Sequence, residues 1–218
     1  MVNLRINFNP IQKNVDEISF WGTEKSCLYK SYKNKTLIVA ECDNVTIGFF
    51  CLTKRDKTIH IDTAEIKEEF KLKGIGRLVF EEISKNTSNK FYGFTLNSTS
   101  ENSHSFWLKL GFIDFPIEGE GENRMVKNIR KTHNQSKRDT NSKDETIEIY
   151  GNNEVFKFNL DFINGSRNLK HPIFLFGDCR WRIVWKKGNI TFFDDTYKYF
   201  NAKQNIYDCL FIKSLPIK

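Results

Sequence analysis

Apolar and polar positions change rhythm several times along the chain. LRINF (Leu4–Phe8), TLIVAEC (Thr36–Cys42), VTIGFFCLT (Val45–Thr53) and TIHIDTAEI (Thr58–Ile66) are rich in β-branched and aromatic residues and read as strands. Asp43 and Asn44 are spaced for a tight hairpin, and LTKRDKT supplies a second turn into the fourth strand. Strict alternation along that strand puts His60, Asp62 and Ala64 on one face and Ile61, Thr63 and Glu65 on the other. From Gly74 the rhythm lengthens: Ile75, Leu78, Val79 and Ile83 recur at helical spacing and predict an amphipathic helix. KFYGFTL (Lys90–Leu96) returns to strand. SHSFWLKLGF then predicts a short helix ending at Gly111, a residue suited to a left-handed cap. Strands and helices in this order predict an α/β sheet layered with helices.

The pattern breaks at KNIRKTHNQSKRDTNSKDE (Lys127–Glu145), which holds a single aliphatic residue and too little apolar surface to order itself. Beyond it, TIEIYG, EVFKFNLDFI, PIFLFG, CRWRIVWKKGNITFF and IYDCLFIKS alternate with period two between Gly, Asn and Asp turn signals. The WRIVWKKGNITFF stretch predicts a hairpin about Lys187 and Gly188, with Trp181 and Trp185 flanking Ile183 in a β core. The predicted division is an α/β domain over 1–130, a basic polar linker over 131–144 and a small β-rich domain over 145–218. The acidic run EGEGE (Glu118–Glu122) reads as a loop between the last two strands of the first domain.

Composition narrows the functional classes. With 39% hydrophobic and 14% aromatic residues in 218, either half can bury a core. The five cysteines are scattered without CxxC or Cys/His clustering, so free thiols in a reducing compartment are expected and a structural metal is not. No run is long enough to span a bilayer, and the opening MVNLRINFNPIQKNVDEI lacks the apolar core of a secretory leader; a cytoplasmic location is the expectation. The net charge of +7 is uneven: 19 Lys+Arg stand against 17 Asp+Glu in residues 1–130, and 15 against 10 in residues 131–218. That excess suits an anionic partner, and Arg180, Arg182, Lys186 and Lys187 among Trp and Phe could make a stacking surface for nucleic acid.

The chemistry is densest in KLKGIGR (Lys71–Arg77). Backbone amides at a helix start lack intrahelical acceptors and sit at the positive end of the helix dipole, so they suit an anion. Glycines let phosphate oxygens approach those amides without a Cβ in the way. Lys71, Lys73 and Arg77 add charge; the bland alternative is a turn with a solvated cationic rim.

Three strands, then IKEEFKLKGIGRLVFEEI, a strand, and SFWLKLGF together resemble the GNAT superfamily of acyl-CoA-dependent N-acyltransferases. Its pyrophosphate signature, R/Q-x-x-G-x-G/A, is matched by Lys71, Gly74 and Gly76, and FWLKLGF is similar to its later aromatic-x-x-x-Gly-Phe element. The resemblance covers roughly residues 1–130 and implies a mixed, centrally splayed sheet with flanking helices. It implies acetyl-CoA as cosubstrate, held by the amides of Lys73, Gly74, Ile75, Gly76 and Arg77, with Lys71 replacing the usual Arg or Gln. It also implies main-chain bonds from Ala64 to Ile66 to the pantetheine arm, and it places Ser100 where the family often has an asparagine, with Asn97 and Asn102 nearby. Trp107 stands at the position of the family's tyrosine acid, and an indole N–H is no acid at neutral pH.

Candidates for proton transfer or amine binding are His60, Asp62 and Glu65, with His60 near where some members carry a glutamate base and with a suitable pKa. A strand histidine satisfied by a neighbour is the plainer reading. His104 and Ser103 could face the thioester or merely cap the helix. The resulting expectation is acetyl transfer from acetyl-CoA to a primary amine by direct attack in a ternary complex, with the β-rich domain choosing or covering the substrate. The alternative is a GNAT-like CoA-binding or scaffold protein whose basic C-terminal domain engages a protein or nucleic acid. A polyamine, a protein amine and aminoacyl-tRNA all stay open as acceptors, as does a homo-oligomer; no membrane partner is expected.

Overall fold

The computed structural model describes residues 4–19, 21, 25–115, 123–130, 145–151, 154–164, 166–177, 181–196 and 209–215. The predicted linker at 131–144, the EGEGE run, Arg180 and Cys179 lie outside them. The chain divides into two units, Met1–Ile129 and Arg130–Lys218.

In the first unit the strands are β1 (Leu4–Asn7), β2 (Leu37–Cys42), β3 (Val45–Lys54), β4 (Thr58–Ile66), β5 (Gly93–Asn97), β6 (Ile113–Asp114) and β7 (Arg124–Asn128). They form one sheet in the order β1-β2-β3-β4-β5-β7-β6, antiparallel except for the parallel pair β4–β5. The β2–β3 hairpin turns on Asp43 (φ 49°) and Asn44 (φ 66°), residues that tolerate the left-handed region a tight hairpin demands.

Helices α1 (Gln12–Ser19) and α2 (Lys25–Lys33) cover one face, and α3 (Ile75–Thr87) and α4 (Glu101–Lys109) the other. Val15, Ile18 and Leu28 pack on Leu37, Val39, Phe49 and Cys51 on the first face. On the second, Val79, Phe80, Ile83 and Trp107 pack on Ile38, Phe50, Leu52, Ile59 and Ile61. α1 is pinned by a buried polar contact: the Asn14 amide donates to Glu41 Oε1 at 2.9 Å and to Thr46 Oγ1 at 3.0 Å. Such a group stays buried only because its bonds are satisfied.

The second unit holds β8 (Glu145–Gly151), β9 (Glu154–Asn159), β10 (Asn168–Phe176), β11 (Arg182–Lys187), β12 (Ile190–Thr196) and β13 (Cys209–Ser214). A four-stranded sheet, β12-β11-β8-β9, and the antiparallel pair β10–β13 share one core. Trp181 and Trp185 lie in that core with Ile147, Ile149, Phe158 and Leu210. A Cβ at Gly151 would stand 2.3 Å from the Trp181 ring, so the indole requires glycine there. The β11–β12 turn centres on Gly188 and Asn189, with Lys187 paired to Ile190, one residue beyond the predicted position.

Of the cations expected to present a nucleic-acid surface, the three described ones are ion-paired. Arg182 makes a two-pronged ion pair with Asp194, Lys186 binds Glu148 at 2.9 Å and Lys187 binds Glu145 at 3.2 Å. Trp181 and Trp185, 2% and 1% exposed, offer no stacking face. Among the described residues, no helix is long and apolar enough to cross a membrane, and no group of His, Cys, Asp and Glu could hold a metal. Cys27, Cys42, Cys51 and Cys209 are free thiols.

Candidate active site

The parallel pairing of β4 with β5 runs only from Thr58–Gly93 to Ile61–Leu96. β4 continues to Ile66 alongside β3, while β5 ends at Asn97, so the two strands part beyond Ile61. Backbone groups at a parted strand pair are left for water or for a ligand.

The split coincides with a β-bulge. Cys51 pairs with Thr63 and Leu52 with Ile61, which leaves Asp62 as the extra residue of β4. This corrects the strict alternation expected from the sequence. Pairing of Thr53 with His60, Cys51 with Thr63 and Phe49 with Glu65 places His60, Thr63 and Glu65 toward α1 and α2, while Ile61 shares the other face with Ala64. Bulges commonly re-aim side chains beside functional sites. Here the bulge turns Asp62 to the α2 side, where its carboxylate accepts from the Thr53 hydroxyl at 2.8 Å.

A cleft of about 380 Å³ opens on this side, lined by Ser26, Cys27 and Lys30 of α2, His60 to Thr63 of β4, Asn97 at the end of β5, and Thr99 just beyond it. The His60 ring is held by a 2.9 Å bond between Nδ1 and the Thr95 hydroxyl, and Thr95 is fully buried on the neighbouring strand. Glu65 lies on the same face but does not line the cleft. Beneath Cys27, burial pushes the Cys51 thiol up, and the adjacent Cys27 thiol adds to the effect.

On the opposite face, Glu68–Phe70 forms a 3-10 turn and Gly74, in the left-handed region at φ 78°, opens α3. A Cβ on Gly74 would meet nothing within 4 Å, so the mouth of the helix is open there. The Leu78 amide is the first to bond within the helix, to the Gly74 carbonyl at 3.1 Å, which leaves those of Ile75, Gly76 and Arg77 facing outward as donors. Gly76 packs closely: a Cβ there would lie 3.2 Å from the Phe106 ring and 3.7 Å from Ile66, tying the helix start to the parted end of β4. The rim cations are present but engaged, Lys71 with Glu68, Arg77 with Glu81 at 2.7 Å, and Lys73 over the Phe70 ring. These exposed pairs are weak enough for an anion to displace. Leu72, also left-handed at φ 59°, stands fully exposed beside them.

α4 is capped by Ser100, whose hydroxyl accepts from the Ser103 amide at 3.2 Å. Ser103 and His104 therefore lie inside the helix, and His104 contacts Asp114 at 2.7 Å. Asn102 is exposed on the first turn. Trp107 is 5% exposed, with its indole edge-on to Phe50, Phe80, Phe106 and Phe112. Lys127 donates to the Leu110 carbonyl at the helix end, and Gly111 takes φ 82° as the sequence predicts.

Residues 17–132 match the family model described as an acetyltransferase (GNAT) domain. Among solved structures, Ard1 from Thermoplasma volcanium matches with a TM-score of 0.51 at 14% identity, over 59% of this chain and 99% of that one. The ribosomal-protein-S18-alanine N-acetyltransferase from Escherichia coli matches at 0.51 and 9% identity, over 59% and 96%. YhbS from Escherichia coli, in complex with CoA, matches at 0.48 and 12%, over 59% and 82%. A search of curated proteins found no match. With the parted β4–β5 pair, the glycine-opened helix and a family match over more than half its length, the chain belongs to the GNAT acetyltransferase family.

Proposed function

We propose that the first unit is an N-acetyltransferase that moves an acetyl group from acetyl-CoA to a primary amine by direct attack in a ternary complex. The observation that carries this reading is the opening between β4 and β5, with an anion-ready helix mouth on one face and a polar cleft on the other. Bound acetyl-CoA would supply an activated thioester carbon. The outward amides of Ile75, Gly76 and Arg77, with Lys71 and Lys73, would hold its pyrophosphate, and the unpaired edge of β4 from Ala64 to Ile66 would bond the pantetheine arm.

His60 serves as the proton acceptor. With Nδ1 donating to the Thr95 hydroxyl, Nε2 carries the lone pair that takes a proton from the attacking amine. Asp62 holds the incoming ammonium beside it. The ammonium first gives a proton to Nε2; the freed amine nitrogen bonds the acyl carbon, the carbon–sulfur bond breaks, and the proton that the nitrogen then sheds passes through solvent to the released thiolate. Trp107 packs the core under α4 and takes no part in proton transfer.

The alternative, a CoA-binding scaffold, gains from the burial of Trp107 where the family has its acid. Its nucleic-acid form gains nothing from Trp181 and Trp185, which are buried and present no stacking face. Thiol release from acetyl-CoA across a panel of amines separates the two readings. The enzyme releases CoA only when an amine is present, and His60→Ala lowers that rate at least tenfold; CoA binding without amine-dependent release would favour the scaffold.

A further inference from the structure

The cleft carries two charges of opposite sign that do not meet. Asp62 accepts from the neutral Thr53 hydroxyl, and no cation pairs with it among the described residues. Across the cleft, Lys30 projects from the last turn of α2, and its ammonium has no acidic partner among the described residues. At the mouth of α3, by contrast, Lys71 and Arg77 are each tied to a carboxylate, Glu68 and Glu81. A lysine near a helix C-terminus also offsets the helix dipole, but Lys33 already stands in that turn and does not line the cleft. Besides these two charges, His60, Cys27 and Ile61, the cleft is lined by the neutral hydrogen-bonding groups Ser26, Thr63, Asn97 and Thr99.

We infer that the acetyl acceptor is a small free amino acid, its amine beside Asp62 and His60 and its carboxylate reaching Lys30. The inference rests on the acetyltransferase reading above. A cleft of about 380 Å³ is at the small end of ligand sites. A polyamine would bring a second ammonium to Lys30, and like charges at close range are unfavourable. An amine lacking a carboxylate would leave Lys30 unmatched. The carboxylate stays outside the reaction: the amine gains the acyl carbon, its proton passes to His60, and CoA leaves as the thiol.

The test compares glycine, β-alanine and 4-aminobutanoate with their carboxamides and with diamines of equal length. Turnover is read as thiol release, and product mass confirms the amide. At least one amino acid is expected to show kcat/KM tenfold or more above its carboxamide and its diamine. Lys30→Ala is expected to narrow that ratio at least tenfold through KM, and Lys30→Glu to invert it in favour of the diamine. Native preference for a carboxamide or diamine, or an unchanged ratio in Lys30→Ala, overturns the inference while leaving the acetyltransferase reading intact. With peptides carrying an acidic first residue added to the panel, acetylation confined to them also overturns it, and points to a protein N-terminus. A native protein that fails calorimetric binding of acetyl-CoA brings down the underlying reading instead.

Discussion

Replacing Gly76 by glutamate separates the helix from its anion site. At this second position of α3, a carboxylate favours the helix dipole by about 0.3–1 kcal/mol, and removing glycine from a helix adds about 0.5–1 kcal/mol. Against these stands the contact of the new Cβ with the Phe106 ring at 3.2 Å, which the half-buried ring can relieve by a small shift. The fold should therefore survive. For a pyrophosphate bound at the amides of Ile75 to Arg77, the added charge lies within about 5 Å, costing about 3 kcal/mol per charge pair at an effective dielectric constant near 20. That corresponds to a loss of roughly 100-fold or more in affinity. Gly76→Ala carries the same Cβ without the charge, and the family signature admits alanine there. Calorimetric titration with acetyl-CoA should find Gly76→Ala within about tenfold of the native protein and Gly76→Glu beyond measurable binding, with both melting near the native temperature. Equal affinity in Gly76→Glu and the native protein would remove the helix mouth as the pyrophosphate site.

Trp107→Tyr, which restores the family's usual residue, should lower stability by about 2–4 kcal/mol in urea titrations, because a smaller ring with a hydroxyl enters an aromatic cluster. Turnover per folded molecule should not rise; a tenfold gain in kcat would show that the position reaches the reacting atoms. Thr95→Val removes the hydroxyl bonded to His60 Nδ1, so the acidic limb of the kcat/KM profile should shift while the fold holds; an unmoved profile would detach Thr95 from the base. Glu148, bonded by Lys186, Lys157 and Tyr150, has its carboxyl held down at about 2. A carboxylate depressed in the folded state stabilises above its ordinary range and loses that contribution as pH falls toward 2. Glu148→Gln should thus cost about 1–2 kcal/mol at pH 7, discounted because Lys157 is 62% exposed, and the gap to the native protein should close in acid. A pH-independent gap would assign the loss to packing.

The strands and α3 were legible because their periods are strong, and Gly74 and Gly76 fell between a strand and a helix in a spacing that named the family. α1 and α2 were not: their buried apolar positions are Val15, Ile18 and Leu28, too few to set a helical rhythm, and α1 is anchored through Asn14 instead. A strict period of two hides the bulge, although its trace is in the sequence. Apolar residues of β4 step by two from Ile59 to Ile61, by three to Ala64, and by two to Ile66. The cleft itself depends on residues from three segments far apart in the chain, Lys30, His60 and Thr99 among them, so no local pattern could assemble it. Likewise, the basic excess after residue 131 reads as a face for an anion, and the sequence does not show that Arg182 and Lys186 have the cross-strand partners Asp194 and Glu148.

The central claim is transfer of an acetyl group across the β4–β5 opening. Initial rates of thiol release from acetyl-CoA, measured at several concentrations of the amine that the acceptor panel selects, test it most directly. The account predicts release that depends on both substrates, intersecting double-reciprocal lines, and an acetylated amine in equal amount to the CoA released. Tight binding of CoA with no amine-dependent release, or parallel lines with acetyl retained on the protein, would contradict it.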